Sequence, residues 1–181
     1  TSKKMMKLHT STQERLPFLD SFFETCLASI TPVNSVLDLA CGLNPLAIPW
    51  MPLDKDCRYY ACDVVAPQVD FLNAYFLLAG HNRIAFTCNL LQAIPQQKVQ
   101  VAFMLKLIPI IDQVDPKASA NLLDQVKADH LLISYPSKSL GGRSKGMRRT
   151  YTEHFERITA GRQFKIHSFD FPNETVYLLS R

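Results

Sequence analysis

Glycine and aspartate residues that follow short apolar runs are the part of this sequence that could do chemistry. Gly42 lies in the stretch Ser35–Trp50, S-V-L-D-L-A-C-G-L-N-P-L-A-I-P-W, whose apolar run contains Asp38. Asp63 ends a second apolar run, residues 59–62, and follows Gly42 by twenty-one positions. A glycine lets a ligand approach the main chain closely. An acidic residue at about this distance, after the next strand, can bind both hydroxyls of a ribose. The pair therefore predicts a nucleoside site.

The glycine pattern also indicates which nucleoside is bound. The motif is D-x-A-C-G rather than G-x-G-x-x-G, and no P-loop lysine follows it. A three-glycine turn makes room for a pyrophosphate at the start of a helix, so a ligand without phosphate fits better here. S-adenosyl-L-methionine (SAM) is the common ligand of that kind. A buried strand ending in an aspartate turn would explain Asp38 alone, but the pair Gly42 and Asp63 favours a cofactor site.

A parallel sheet is needed to bring these residues together, and the rest of the chain predicts one. Apolar runs predict strands at 35–40, 58–62, 84–88, 99–105 and 130–134, with a closing pair at 164–169 and 175–179. Helices are expected from Pro67, from Asp115-Pro116 and over residues 151–158. This order predicts an α/β, Rossmann-like SAM-dependent methyltransferase fold, whose mostly parallel seven-stranded sheet ends in an antiparallel hairpin.

A separate segment is predicted before the first strand. Residues 1–8 are basic and are expected to be poorly ordered. Ser11 and Glu14 have the spacing of a capping box. Apolar residues from Leu16 to Ile30 then follow the helical period and predict one amphipathic helix. We therefore divide the chain into a basic lead-in with an N-terminal helix, residues 1–32, and a SAM-dependent methyltransferase domain, residues 33–181.

Composition restricts the class of protein. The 181 residues are 47% hydrophobic, which suits one globular domain, and the net charge of +4 allows nucleic acid as a partner without demanding it. Five cysteines form no C-x-x-C pair, which is typical of reduced thiols. No apolar run reaches the ~20 residues of a membrane span, and the first residues do not have the pattern of a signal peptide. We expect a cytoplasmic protein.

Four strings resemble one family. They are H-T-S-T-Q-E-R-L-P at 9–17, D-L-A-C-G-L-N-P-L-A-I-P-W at 38–50, L-K-L-I-P at 105–109 and S-Y-P-S-K-S-L-G-G-R-S-K-G-M at 134–147. In this order they resemble the aminoglycoside-resistance 16S rRNA methyltransferases of the Arm/Rmt/Kgm group. The resemblance covers nearly the whole chain. It implies methyl transfer from SAM to N7 of guanine 1405 in the decoding site of the 30S subunit, by a monomer without a metal. The family's N-terminal helical subdomain is largely missing before His9, so we expect SAM affinity with slow or absent turnover.

The resemblance implies a set of residues around SAM. The cofactor is expected over the turn 40–42, with Asp63 on the ribose. Arg15 could reach the SAM carboxylate because a guanidinium matches a carboxylate bidentately, although a solvated helix face explains it equally well. A purely structural core position likewise explains Leu105. The full set is Arg15, Ala40, Cys41, Gly42, Asp63, Asn89, Leu90, Leu105 and Gln113, with Asn89 and Leu90 beside the adenine.

A basic stretch follows the fifth predicted strand, at the ligand end of the sheet. Its cations are Lys138, Arg143, Lys145, Arg148 and Arg149, with no acidic residue among them. Such residues can neutralise RNA phosphates, whereas a solvated basic loop is the ordinary alternative. Position beside the predicted cofactor site favours RNA binding.

No catalytic residue is assigned. Guanine N7 is a lone-pair acceptor, so its attack on a methyl group needs no general base, and the main demand is positioning. Two alternatives stay open. One is a methyltransferase for another RNA or a small molecule, and the other is a SAM- or RNA-binding homologue with little or no turnover.

Overall fold

A seven-stranded sheet forms the centre of the computed structural model, which describes residues 2–80, 83–137 and 144–181, without the side chains of 144–147. The strands are β1 (Val33–Leu39), β2 (Leu53–Asp63), β3 (Ile84–Thr87), β4 (Val99–Leu105), β5 (Ala128–Pro136), β6 (Lys165–Asp170) and β7 (Glu174–Ser180). Their spatial order is β3-β2-β1-β4-β5-β7-β6. Strands β1 to β5 pair in parallel, and β7 is antiparallel to β5 and β6. The predicted sheet and its closing hairpin are confirmed.

Helices cover both faces of this sheet. They are α1 (Ser2–Met6), α2 (Thr10–Arg15), α3 (Leu19–Leu27), α4 (Ala66–Leu78), α5 (Ile108–Val114), α6 (Ala118–Gln125) and α7 (Ser144–Thr159), with 3₁₀ segments at Leu16–Phe18 and Asn44–Trp50. Among the described residues, no helix combines the length and apolar character that a membrane crossing requires.

Alternation along β1 shows why the sheet is covered on both sides. Val36 packs into a core with residues of α1, α3 and α4, whereas Leu37 and Leu39 pack into a second core with α5, α6 and α7. Successive side chains of a strand point to opposite faces, so a strand that is apolar at consecutive positions needs a layer on each side. The carboxyl ends of β1, β2 and β4 are thereby held side by side.

The N-terminal predictions are partly wrong. Residues 2–6 form α1, and the side chain of Met6 is fully buried in the first core, so the lead-in is not poorly ordered there. The single predicted helix is instead divided into α2 and α3 by the 3₁₀ turn Leu16–Phe18. Pro17 accounts for this break because it has no N–H for an α-helical hydrogen bond.

Two further helices depart from the predictions. The apolar segment Ile108–Val114 forms α5, which periodicity did not indicate, and α6 therefore begins at Ala118 rather than at Asp115. Helix α7 begins at Ser144, seven positions before the predicted start at Tyr151. The basic residues 144–150 consequently belong to a helix and not to a loop. Strand boundaries differ from the predicted ones by a few residues at most in β1, β3, β4 and β5, but β2 starts five residues earlier than expected.

Candidate functional site

A cavity of about 520 Å³ opens at the carboxyl ends of β1, β2 and β4, and we call it the strand-end cavity. Its lining comes from the start of α2, the ends of these strands, α5, the end of β5 and α7. The residues are His9, Thr10, Ser11, Glu14, Ala40, Gly42, Asp63, Leu105, Lys106, Leu107, Pro109, Ile110, Gln113, Pro136 and Tyr151. A volume of this size is usual for small-molecule sites.

The fold brings most of the predicted cofactor residues to this cavity. Ala40, Gly42, Asp63, Leu105 and Gln113 all line it, although they are spread over more than seventy positions of the chain. They meet because the parallel strands end at one edge of the sheet. The position of the site was therefore predictable from the order of strands and the turn after β1.

Cys41 lies between two lining residues, but its side chain belongs to the core. The residue is buried, and its thiol donates a hydrogen bond to the Gly42 carbonyl at 3.5 Å. Burial raises the pKa of this thiol well above its ordinary value. The thiol therefore stays protonated and serves as a small packing group.

Asp63 fixes the turn after β1 to the end of β2. Its Oδ2 accepts a hydrogen bond from the Gly42 N–H at 2.9 Å, and its Oδ1 accepts one from the Val65 N–H at 3.1 Å. The residue is 8% exposed and lines the cavity. Since each carboxylate oxygen can accept more than one hydrogen bond, both keep capacity for a ligand hydroxyl.

Left-handed backbone marks the turns at the ends of β1 and β4. Ala40, Gly42 and Lys106 have φ angles of 49°, 52° and 57°. This region is costly for residues other than glycine, and such strain is typical of functional sites. The Lys106 N–H donates to the Ser134 carbonyl at 3.1 Å and to the Ser134 hydroxyl at 3.0 Å, which holds that turn in place. Both alanine and lysine line the cavity.

One side of the cavity is formed by residues at and just before α2, and we call it the α2 wall. Its residues are His9, Thr10, Ser11 and Glu14. That these four residues line the site was not predicted from the sequence. A Cβ at Gly42 would lie 2.9 Å from Cε1 of His9, so the imidazole rests directly on the glycine turn. The hydroxyl of Ser11 and Nδ1 of His9 are 2.9 Å apart, and Nζ of Lys106 pairs with Glu14. The capping-box prediction for Ser11 and Glu14 is thus wrong, because both side chains contact the site instead of capping α2.

Arg15 is buried and forms an ion pair with Glu174. Its Nε and Nη2 donate to the two carboxylate oxygens of Glu174 at 2.7 and 3.0 Å, and Nη1 donates to Oδ1 of Asn44 at 3.1 Å. Only 2% of the side chain is exposed. This burial shows that the solvated-face interpretation is wrong. A contact between Arg15 and the SAM carboxylate stays a prediction.

The same network continues under the turn after β1. Nδ2 of Asn44 donates to Oδ2 of Asp38 at 2.9 Å, and the hydroxyl of Tyr59 donates to the same oxygen at 2.7 Å. Burial raises the pKa of Asp38 to about 7, although the bonds from Asn44 and Tyr59 and the charge of Arg15 act in the opposite direction. Burial would also raise the pKa of Glu174, but the charge and hydrogen bonds of Arg15, the charge of Lys106 and a hydrogen bond with Ser134 together lower that pKa. The buried network, residues 15, 38, 44, 59 and 174, thus links α2, the 3₁₀ segment, β1, β2 and β7.

Asn89 and Leu90 are not among the lining residues of the strand-end cavity. Asn89 is exposed in the loop after β3, where its Oδ1 accepts a hydrogen bond from the Leu91 N–H at 3.1 Å. Leu90 packs against the second core. Their predicted place beside an adenine stays a prediction.

The predicted RNA residues are described only in part. Lys138 and Arg143 lie outside the described residues, as does the side chain of Lys145. Arg148 pairs with Asp170 at 2.6 Å and Arg149 pairs with Glu153 at 2.7 Å, and both arginines are exposed on α7. Within the described ranges, no group of three or more His, Cys, Asp and Glu residues is placed to hold a metal ion.

The sheet order, the glycine turn after β1 and the acidic residue after β2 define the Rossmann-like fold of SAM-dependent methyltransferases. Residues 1–178 match the model of a family described as "Ribosomal RNA methyltransferase (FmrO)". The chain belongs to this FmrO family.

Similar proteins carry one activity in their names. The chain is 34% identical over 179 residues to the 16S rRNA (guanine(1405)-N(7))-methyltransferase of Micromonospora rosea. The aligned region covers 99% of this chain and 65% of that protein. It is 35% identical to the protein of the same name from Frankia casuarinae, over 98% of this chain and 63% of that protein. The chain thus spans just under two thirds of the length of these relatives.

Two solved structures of 16S rRNA methylases superpose on this chain. The 16S rRNA methyltransferase RmtF in complex with S-adenosyl-L-homocysteine superposes with a TM-score of 0.86 at 32% identity, over 97% of this chain and 66% of that one. The 16S rRNA methylase ArmA superposes with a TM-score of 0.80 at 31% identity, over 99% of this chain and 90% of that one.

Proposed function

We propose that this chain transfers a methyl group from SAM to N7 of guanine 1405 of 16S rRNA in the 30S subunit, an activity that gives aminoglycoside resistance. The observation that carries this proposal is the strand-end cavity, in which the Gly42 turn and Asp63 meet at the carboxyl ends of β1 and β2. Membership of the FmrO family and the names of its relatives support the same reaction.

We assign SAM to the strand-end cavity. The methionine end would lie against the turn 40–42, and the remaining acceptor capacity of Asp63 would take the ribose hydroxyls. Leu105 and Gln113 would close the opposite side of the cavity. Asn89 and Leu90 remain candidates for the adenine end. The complex of RmtF with S-adenosyl-L-homocysteine supports a cofactor of this class.

The reaction asks little of the protein beyond positioning. The cofactor supplies an electrophilic methyl group, and guanine N7 offers a lone pair without a proton, so no side chain has to act as a base. The residues of this chain have to align the two reactants and exclude water. The strained turns at Ala40 and Lys106 and the buried network beneath them are suited to that task because they fix the cavity wall.

We further propose a monomer that acts on 30S subunits in the cytoplasm. Lys138, Arg143, Lys145, Arg148 and Arg149 would contact RNA phosphates at the cofactor edge of the sheet. Residues 1–32 would act together with the domain 33–181, since His9 and Glu14 supply part of the cavity wall.

The test combines two assays. Isolated 30S subunits are incubated with the chain and SAM, and N7-methylguanine is mapped by borohydride–aniline cleavage and primer extension. Slow modification at guanine 1405 is the expected result, and a methyl group on another base would overturn the assignment. Cofactor affinity without modification would favour the alternative of a binding homologue with little or no turnover.

Calorimetry with S-adenosyl-L-homocysteine tests the site itself. Asp63→Ala should lose about 1–3 kcal/mol of affinity, because it removes a hydrogen-bonded charged partner. Asp129→Ala, at an exposed aspartate on the amino-terminal end of β5, is the matched control and should bind normally. Unchanged affinity of a folded Asp63→Ala variant would refute the cofactor assignment.

A further inference from the structure

A groove between α5 and α7 continues the strand-end cavity, and we call it the helix groove. It has a volume of about 290 Å³, and its lining includes Asp112 and Pro116 on one side with His154 and Arg157 on the other. Pro109, Gln113 and Tyr151 line both the groove and the cavity. A molecule that leaves the cavity past Tyr151 therefore enters the groove directly.

The aromatic wall of the helix groove is held rigidly. Nε2 of His154 lies 2.7 Å from Oδ2 of Asp112, and Nδ1 lies 3.2 Å from the hydroxyl of Tyr135. The Asp112 carboxylate is fixed in turn by the N–H and hydroxyl of Ser119, at 2.9 and 2.7 Å. Both ring nitrogens of His154 are thus engaged within the protein, so the 16% of its side chain that is exposed can offer a ligand a flat surface rather than a proton.

Tyr151 extends this aromatic wall towards the cavity. Its ring packs against Tyr135 with a centroid distance of 5.3 Å, and Tyr135 also contacts the ring of His154 edge-on at 6.2 Å. Tyr135 is buried, so it anchors both rings to β5. Rings fixed in this way can stack with a planar ligand at little cost in side-chain entropy.

Arg157 supplies a cation at the far side of the groove. The residue is exposed, and within the described part of the chain no hydrogen bond or salt bridge engages its guanidinium. By contrast, Arg148, Arg149 and Arg162 each pair with a carboxylate. An unpaired arginine beside aromatic rings is the combination that binds a phosphate and a base together.

We propose that the helix groove binds the nucleotide next to the target guanine in the RNA strand. This inference rests on the proposed function, because it needs a strand that delivers one base into the strand-end cavity. Such a strand must leave the cavity along the surface, and the shared residues make the helix groove its continuation. The neighbouring base stacks on the His154 and Tyr151 side, and its phosphate lies near Arg157.

The phosphate contact is tested with a synthetic RNA hairpin that copies the decoding-site helix and carries a fluorescent label. Anisotropy titrations over a range of salt concentrations should show a three- to tenfold loss of affinity for Arg157→Gln. The slope of log affinity against log salt should fall by about one unit. Arg58→Gln makes the same charge change at an exposed arginine of β2, far from the groove, and should match the wild type.

The stacking contact is tested with two substitutions of the same residue. His154→Gln removes the ring but keeps an N–H for Asp112, whereas His154→Phe keeps the ring and loses both hydrogen bonds. Stacking predicts about fivefold or greater loss for His154→Gln and a smaller loss for His154→Phe. An abasic nucleotide next to the target guanine should weaken binding to the wild type but weaken it no further for His154→Gln.

The outcomes separate this inference from the proposed function. Affinity for S-adenosyl-L-homocysteine should stay within twofold of the wild type in the Arg157 and His154 variants, which also shows that they fold. RNA binding by the wild type that none of these variants weakens would overturn the groove assignment and leave the methyltransferase proposal standing. A wild type that binds the cofactor but binds neither the hairpin nor 30S subunits, even at low salt, would overturn both. Loss of cofactor affinity instead of RNA affinity would assign the groove to the cofactor.

Discussion

Two kinds of arginine in this protein form ion pairs of almost the same length but differ in what the pair does for the molecule. Arg15 lies 2.7 Å from Glu174 with 2% of its side chain exposed. Arg148 and Arg149 lie 2.6 and 2.7 Å from Asp170 and Glu153, with 56% and 83% of their side chains exposed. The distances do not distinguish the pairs. Burial does, because water screens the second kind and is absent around the first.

The difference shows which charges hold the site and which are available to a partner. A buried ion pair has lost its hydration, so removal of one member leaves an uncompensated charge in the core. An exposed pair contributes little, since solvent replaces the lost partner. The Arg15–Glu174 pair therefore belongs to the buried network, whereas Arg148 and Arg149 can exchange their carboxylates for RNA phosphates at small cost.

Removal of Arg15 should produce the largest effect. Arg15→Met should lower the free energy of unfolding by about 3–5 kcal/mol, because Glu174 is left buried and unpaired. Urea denaturation followed by circular dichroism measures this loss. The double variant Arg15→Met/Glu174→Leu should lose less than the single one, since neither charge remains. A loss below about 1 kcal/mol in Arg15→Met would remove the contrast between the two kinds of arginine.

Asp38 gives a second test of how burial affects a charge. Its carboxylate is buried in the same network as Arg15, but its hydrogen-bond partners, Asn44 and Tyr59, are neutral. Burial raises its pKa to about 7 from an ordinary 3.8. Between these values the folded state holds a proton that the unfolded state has lost. Its contribution to stability is therefore complete at low pH and is lost as the pH rises from about 4 to about 7.

Asp38→Asn removes this proton equilibrium. Unfolding free energies of wild type and variant are compared at pH 5 and pH 8. The difference between them should shift in favour of the variant by roughly 1–3 kcal/mol at the higher pH. Tyr59→Phe retains the titrating carboxylate and serves as the control, so its own unfolding free energy should still fall as the pH rises, and its difference from the wild type should change less with pH than that of Asp38→Asn. A pH-independent difference for Asp38→Asn would show that Asp38 is already ionised in the fold.

The buried network also shows where sequence reasoning succeeded and where it could not. The strands and the pair Gly42 and Asp63 follow from local patterns, because apolar runs and turn residues are close in the chain. Arg15 and Glu174 are 159 positions apart, and only the packing of α2 on β7 brings them together. No local signal distinguishes an arginine that will be buried from one on a solvated helix face.

The contribution of α2 to the cavity was not predicted, for a related reason. Ser11 and Glu14 match a capping box in spacing, yet tertiary contacts with His9 and Lys106 use both side chains. The polar string H-T-S-T-Q-E-R could have indicated a functional role for this segment, because it contains more polar residues than a helix cap requires. Helix α5 was missed because its sequence, I-P-I-I-D-Q-V, follows β4 after only two residues and is too short to show the helical period.

A smaller effect is expected at the turn that the buried network supports. Gly42→Ala places a side chain at φ 52°, which costs about 1–2 kcal/mol, and brings its Cβ to within 2.9 Å of the His9 ring. Thermal unfolding and calorimetry with S-adenosyl-L-homocysteine should show a lower Tm and weaker binding. His9→Ala in the same chain should relieve the contact but not the backbone strain, so the double variant should recover only part of the loss. Full recovery would mean that the contact alone matters.

The exposed arginines should give the smallest change in stability and thereby complete the comparison. Arg148→Gln should cost at most about 0.5 kcal/mol, and Arg149→Gln should leave Tm unchanged, because solvent replaces each lost partner. Both should still weaken binding of the decoding-site hairpin, with the salt slope lower by about one unit per lost phosphate contact.

Arg162 is the control, since it makes a bidentate pair with Asp124 and also donates to the Ile158 carbonyl. Arg162→Gln should lower Tm more than either α7 variant and leave RNA affinity as it was. If Arg148→Gln and Arg149→Gln change neither stability nor the salt slope, these arginines are a solvated surface, and the RNA contacts of this edge must come from other residues.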